Sequence, residues 1–189
     1  MELILASSSP RRQELLRAAG ISFTVQPANV PEEPRIGEAP TAFSERLALE
    51  KASAVWNKLP ANSEKLVFGA DTIVVVDEHI LGKPADPEDA VRMLRMISGR
   101  THLVTTSVCL MGNGRSDVRS ETTTVYVDPI PDNEIADYVA SGEPMDKAGA
   151  YAIQGMASRW IPRIEGDYSN VVGLPIALVY RMLNSRGAI

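Results

Sequence analysis

The sequence predicts a single α/β domain over residues 1–189, with a mixed sheet flanked by helices. Three observations lead there. Strand-like and helix-like segments alternate through the N-terminal half, and two strand-like segments meet at a GNGRSD turn further on. No internal repeat, low-complexity tract or long linker divides the chain. At 189 residues, with 44% hydrophobic and 23% charged residues, it has the length for one well-buried core and the composition of an ordinary globular protein.

Taken in order, Glu2 to Ala6 reads as a short buried strand and Pro10 to Ala19 as a helix closed by Gly20. Ser22 to Gln26 alternates as a second strand, and NVPEEPRIGEAP is a proline-rich acidic loop. Thr41 to Leu59 is a long helix with Phe43 and Leu47 at helical spacing. Leu66–Phe68 and Thr72–Val76 are β-branched runs that Gly69-Ala70-Asp71 interrupts. Asp86 to Ile97 is a helix, capped by Asp86, opened by Pro87 and ended by Gly99. His102 to Met111 and Ser120 to Val127 are antiparallel strands, Pro131 to Ala140 is helical, and MDKAGAYAIQG is rich in small residues. Arg159 to Ile164 is strand-like, and Ser169 to Asn184 is an apolar helix interrupted at Gly173 and Pro175.

Charge and cysteine usage remove several classes. A net charge of −5 argues against a nucleic-acid polymer as partner, though not against small anions in a local basic pocket. One cysteine, Cys109, forms no disulfide framework, in keeping with a reducing cytosol. No apolar run approaches a membrane span, so the expectation is a cytoplasmic protein without a membrane partner. The two histidines, His79 in a turn and His102 at a strand start, carry no catalytic pattern, which disfavours triad chemistry and zinc.

What remains points to phosphate. Ser8 and Ser9 precede the helix that Pro10 opens, where backbone N–H groups and the helix dipole attract anions. Arg11 and Arg12 are awkward at that positive end unless an anion sits between them; a solvated pair is the alternative. Lys51 shares a helix face with Ser44, Ala48 and Val55, so it either snorkels or aims at a site. Arg46 and Glu50, one turn apart, read as a surface pair. Asp71 in an apolar strand region is costly without a partner and reads as a turn cap, a metal ligand or a general base. Lys83 of GKP follows closely and favours the functional readings. Asp146, Lys147 and Gln154 lie in the small-residue segment, and an amide such as Gln154 can read a base edge. Isolated cations beside Glu32, Asp71 and Asp146 suit an oligophosphate with a hard cation such as Mg²⁺.

The combination SSSPRR, ERLALEKA, GADT, GKP, SGRTH, DKAGAYAIQG and GDYSNVVGLP resembles the Maf family of nucleoside triphosphate pyrophosphatases, in order from Leu3 to about Leu183. The resemblance implies an elongated α/β mixed sheet with two lobes around a cleft, similar to inosine triphosphate pyrophosphatases. It implies hydrolysis of a nucleoside triphosphate to monophosphate and pyrophosphate, with Mg²⁺ or Mn²⁺. By the family pattern Asp71 matches the proton acceptor, and Arg12, Thr72 and Gln154 match the specificity positions. Arg11, Lys51 and Lys83 are assigned to catalysis, Ser8, Ser9, Asp146 and Lys147 to substrate binding, and Asp71 with Glu32 to the metal; Pro31 stands where the family often has an acidic residue, which leaves Glu33 as the alternative to Glu32.

SPRR, GADT and Gln154-Gly155 set the chain apart from the 7-methyl-GTP branch, which typically has SPWR, GSDQ and Glu-Gly. The expected substrates are therefore dTTP and UTP, with modified pyrimidine triphosphates. A non-catalytic nucleotide-binding regulator of septum formation is the competing class, as is a pyrophosphatase of another base preference. A homodimer is left open by the sequence.

Overall fold

The computed structural model describes residues 1–189. Seven strands form one mixed sheet: β1 (Leu3–Leu5), β2 (Thr24–Val25), β3 (Leu66–Val76), β4 (His79–Leu81), β5 (Thr101–Gly112), β6 (Arg115–Tyr126) and β7 (Arg163–Glu165). Their order is β2-β1-β3-β5-β6-β7, with β4 paired to β3. Six α-helices accompany them: α1 (Pro10–Ala18), α2 (Pro40–Trp56), α3 (Pro87–Ile97), α4 (Asp132–Ala140), α5 (Tyr168–Val172) and α6 (Ile176–Ser185). The chain divides into two compact units. One comprises Met1–Thr72, Thr106–Glu121 and Gly173–Ile189, the other Ile73–Thr105 and Thr122–Val172.

In the first unit β1 runs parallel to both β2 and β3, with Leu3 opposite Leu66 and Leu5 opposite Phe68. Alternation along these strands sorts side chains to two faces. Leu3, Leu5, Phe68 and Ala70 join Leu16 of α1 and Leu178, Val179 and Met182 of α6. Ile4 and Val67 join Ala48, Ala52 and Val55 of α2. The strand is thus covered by α2 on one face and by α1 and α6 on the other.

Gly69 sets how closely α2 can approach. A Cβ at this position would lie 2.2 Å from the Ala48 carbonyl oxygen and 2.7 Å from the Ala52 backbone nitrogen. Both obstacles are helix backbone, so the helix would have to move as a body. Gly69→Ala is expected to cost about 3 kcal/mol, the upper end for overpacking. Thermal unfolding checks this, and an unchanged Tm would show that α2 yields freely.

In the second unit Val74, Val76 and Leu81 pack with Ala90, Met93, Leu94 and Ile97 of α3 and with Tyr138 of α4. Tyr138 meets Trp160 edge to face, ring centroids 5.3 Å apart. The α3 boundaries follow the expected chemistry. Asp86 Oδ1 accepts from the Asp89 N–H at 2.8 Å, Pro87 opens the helix, and Gly99 beyond its end has φ +68°.

His102 lies in this core, 2% exposed, with Nε2 at 2.7 Å from the Tyr151 hydroxyl and Nδ1 without a partner. Burial pushes its pKa down to about 4. The folded state therefore keeps His102 neutral while the unfolded chain protonates it near 6.5. Its contribution is intact above that value and is lost as pH falls toward 4, amounting to about 3 kcal/mol. Denaturant unfolding at pH 7 and pH 4 should show this loss, and His102→Gln should flatten it.

Several boundaries differ from the sequence reading, among them the end of the long helix at Trp56 instead of Leu59 and a second strand of only Thr24–Val25. β3 runs unbroken through Gly69-Ala70-Asp71, with β1 paired to it as far as Phe68 and β5 its neighbour on the other side. β6 begins at Arg115 rather than Ser120, since the tight turn at Asn113-Gly114 lets the ladder start at once. Asp77 and Glu78 make a left-handed turn, so His79 opens the short strand β4. The Arg159–Ile164 segment divides into a 3₁₀ turn, Met156–Trp160, and β7.

Candidate active site

Because β3 is continuous, Asp71 and Thr72 face opposite ways. Asp71 follows Val67 and Gly69 toward α2; Thr72 follows Phe68 and Ala70. Each residue meets a cation on its own face.

On the α2 face, the close approach permitted by Gly69 brings Lys51 to Asp71, with Nζ at 2.7 Å from Oδ1. The same Nζ lies 2.6 Å from Glu32 Oε1. Lys51 and Asp71 are buried, at 8% and 6% exposure, whereas the Glu32 side chain is 48% exposed. One ammonium therefore joins a buried carboxylate to one that reaches water. Burial raises the Asp71 pKa, an effect that Lys51 partly offsets.

On the other face Arg12 is bound by the protein itself. Nε donates to the Gly173 carbonyl at 2.9 Å, and Nη1 donates to Ser7 Oγ at 3.1 Å and the Ala70 carbonyl at 3.0 Å. Nη2 donates to Thr72 Oγ1 at 3.0 Å. Only one N–H of Nη2 lies outside these bonds. Desolvation lowers the Arg12 pKa and the charge of Asp71 opposes that shift. Arg11, next to it, is half-buried. Ser9 caps α1, accepting from the Arg12 N–H at 3.5 Å, and Ser8 is exposed.

The second unit holds the remaining candidates. The Gly149 N–H donates to the Gly82 carbonyl at 3.0 Å, which joins the GKP turn bearing Lys83 to the segment bearing Lys147. Lys147 Nζ bonds Asp146 Oδ1 and the Glu143 carbonyl, both at 2.6 Å. Lys83 and Gln154 are exposed.

Several residues of these surroundings were not legible as site residues. Thr106 of β5, fully buried, lies 2.9 Å from Thr72 Oγ1 and fixes that hydroxyl together with Arg12. Ser7 supports Arg12. Glu143 Oε1 takes the Tyr138 hydroxyl at 2.9 Å and the Met156 N–H at 3.1 Å, tethering the loop that carries Gln154. A β-branched hydroxyl in a strand gives no sequence signal, because Thr is also an ordinary strand former.

For a metal, Asp71 and Glu32 are the two carboxylates that Lys51 brings together; no group of three His, Cys, Asp or Glu side chains that could hold a metal ion is assembled in the structure. Two hard oxygen donors suit Mg²⁺ or Mn²⁺ taking its other ligands from phosphate and water, and do not suit zinc. The donor chemistry fits.

The family model described as Maf-like protein matches residues 2–186, nearly the whole chain. The chain belongs to the Maf family. It is 60% identical over 189 residues to the dTTP/UTP pyrophosphatase of Koribacter versatilis (strain Ellin345), covering 100% of this chain and 96% of the relative. It is 52% identical to the protein of that name from Geobacter metallireducens, over 99% of this chain and 97% of the other. Among solved structures, the Staphylococcus aureus Ham1 protein is similar with a TM-score of 0.55 at 14% identity, covering 98% of this Maf chain and all of the other. That likeness concerns the fold. No helix of this Maf protein is long and apolar enough to cross a membrane.

Proposed function

We propose that this Maf protein is a nucleoside triphosphate pyrophosphatase that hydrolyses dTTP and UTP to the monophosphate and pyrophosphate. The observation that carries the reading is the convergence of Asp71 and Glu32 on Lys51 Nζ, at 2.7 and 2.6 Å, with Lys51 and Asp71 at motif positions of the family. Relatives 60% and 52% identical that bear the name dTTP/UTP pyrophosphatase support the choice of substrate.

In this reaction water attacks the α-phosphorus, the bond to the α–β bridging oxygen breaks, and pyrophosphate leaves. Asp71 accepts the proton of the attacking water. An ordinary aspartate, with a pKa near 3.9, is a weak base at neutral pH, and burial improves it. Lys51 orients Asp71 through Oδ1 and keeps its charge in place. A bound Mg²⁺ or Mn²⁺, held by Asp71 and Glu32, would neutralise charge on the phosphate oxygens. Arg11, Lys83 and Lys147 are assigned to phosphate charge, with Ser8, Ser9 and Asp146 as further substrate contacts. Thr72 and Gln154 are assigned to the base, and Arg12 holds Thr72 in place. We place the enzyme in the cytoplasm, with a homodimer as the assembly that sedimentation would test.

Pyrophosphate release from canonical and modified triphosphates, with Mg²⁺ or Mn²⁺, tests the reading. Preference for dTTP and UTP is expected. Preference for 7-methyl-GTP or inosine triphosphate would overturn the pyrimidine assignment, and binding without pyrophosphate release would point to the non-catalytic regulator.

A further inference from the structure

The acidic loop of residues 29–39 contains no helix or strand, yet it delivers Glu32 to Lys51 at 2.6 Å. Arg46 of α2 supplies the fastening. Its Nε and Nη2 bond the two carboxylate oxygens of Glu38 at 2.6 and 2.7 Å. Nη2 also donates to the Glu33 carbonyl at 3.0 Å, the residue next to Glu32. Nη1 bonds both carboxylate oxygens of Glu50 at 3.2 Å.

Arg35, on the loop itself, adds Nη2 to Glu50 Oε1 at 3.3 Å, while its backbone N–H donates to Glu38 Oε2 at 3.0 Å. Every N–H of the Arg46 guanidinium thus has an acceptor, and two of its three partners lie on the loop.

An isolated Arg–Glu pair one helical turn apart contributes only a few tenths of a kcal/mol. This arrangement is different. The fork on Glu38 is bidentate, the side chains of Arg46 and Glu38 are 15% and 11% exposed, and one planar group spans three partners. Hydrogen bonding to Arg46 holds the Glu38 carboxyl down at about 2, so the fork stays ionised throughout the range in which the protein would work.

We propose that Arg46 is a positioning residue: by fastening the loop at Glu33 and Glu38 it holds Glu32 against Lys51 and so completes the pair of carboxylates around that ammonium. The inference rests on the pyrophosphatase reading for its kinetic consequence, but the fastening itself can be measured without turnover.

Four variants test it: Arg46→Ala, Arg46→Lys, Glu32→Gln, and Arg46→Ala combined with Glu32→Gln. In Arg46→Ala, amide hydrogen exchange across residues 29–39 should accelerate on the order of tenfold while α2 keeps its protection. The Mg²⁺ concentration for half-maximal pyrophosphate release should rise on the order of tenfold, with kcat at saturating Mg²⁺ changed by no more than about twofold. In the Glu32→Gln background Arg46→Ala should add no further Mg²⁺ shift. Arg46→Lys should behave like Ala, because one ammonium cannot span the three partners.

Unchanged exchange in the loop, full rescue by Lys, or an additive loss in the Glu32→Gln background would each overturn the proposal. If Arg46→Ala fails to fold, Glu38→Ala removes the bidentate half of the fastening from the loop side and should show the same changes in smaller degree. Absence of pyrophosphate release by the unaltered protein would sink the functional reading, while the exchange measurement still decides the fastening.

Discussion

Asp71→Asn is expected to lower kcat for pyrophosphate release from dTTP by about a thousandfold, within the range that a positioned general base supplies. The amide preserves shape and can still approach Lys51, but it accepts no proton from water. Stability should move the other way. Burial raises the Asp71 pKa in the folded state, so folding favours the protonated form. The corresponding stabilisation is fully present below the unfolded value near 3.9 and is lost as pH rises through the folded value. At neutral pH the buried carboxylate is therefore a net cost, and Asp71→Asn should melt at the same temperature as the parent or higher.

With Asp71 as the base and no metal on it, the acid limb of the pH–rate profile should lie above the ordinary carboxylate range, for the same reason. Mg²⁺ titration separates the two roles of Asp71. Retained metal affinity with lost turnover assigns it as the base; collapsed affinity assigns it chiefly as a ligand. Turnover near that of the unaltered protein would remove it from the mechanism.

Arg12→Ala is expected to damage fold and turnover together. It strips donors from the Gly173 and Ala70 carbonyls, from Ser7 Oγ and from Thr72 Oγ1. Buried acceptors left without donors cost about 1–3 kcal/mol each, and water entering this half-buried place softens the loss. A total of about 3 kcal/mol is expected, which at 2–4 °C per kcal/mol lowers Tm by roughly 10 °C. The fall in kcat/KM should reach about two orders of magnitude, because Thr72 loses the donor that places it and a misplacement of about 1 Å at a substrate contact can cost about a hundredfold.

Arg12→Lys should rescue little, because a single ammonium cannot reproduce bonds directed to both strand and loop. An unaltered melting temperature with lost turnover would show that Arg12 acts on the phosphates directly and not through Thr72.

The two arginines at the start of α1 illustrate what was legible and what was not. Their placement at the positive end of a helix marked the stretch as unusual on local physics alone. Where Arg12 points was not legible, since its partners come from Ala70, Thr72 and Gly173, far off in sequence. Lys51 behaved similarly. Helical spacing placed it on the face of Ser44, Ala48 and Val55, all of them buried, and left open whether it snorkels or aims inward. Arg46 and Glu50 read locally as a surface pair, because the sequence shows the partner one turn away and hides Glu38 and the Glu33 carbonyl.

By itself the sequence determined the helix starts at Pro10 and Pro87, the alternating faces of the strands, the α/β class and the family motifs, because capping, side-chain period and turn chemistry act over a few residues. Only the tertiary structure decided that β3 runs unbroken, that Gly69 admits α2, and that Lys51 gathers Asp71 and Glu32. The physical reason is the same in each case. A buried charge is placed by the packing of elements distant in sequence, and the cost of leaving it unpaired selects its partner only once those elements have met.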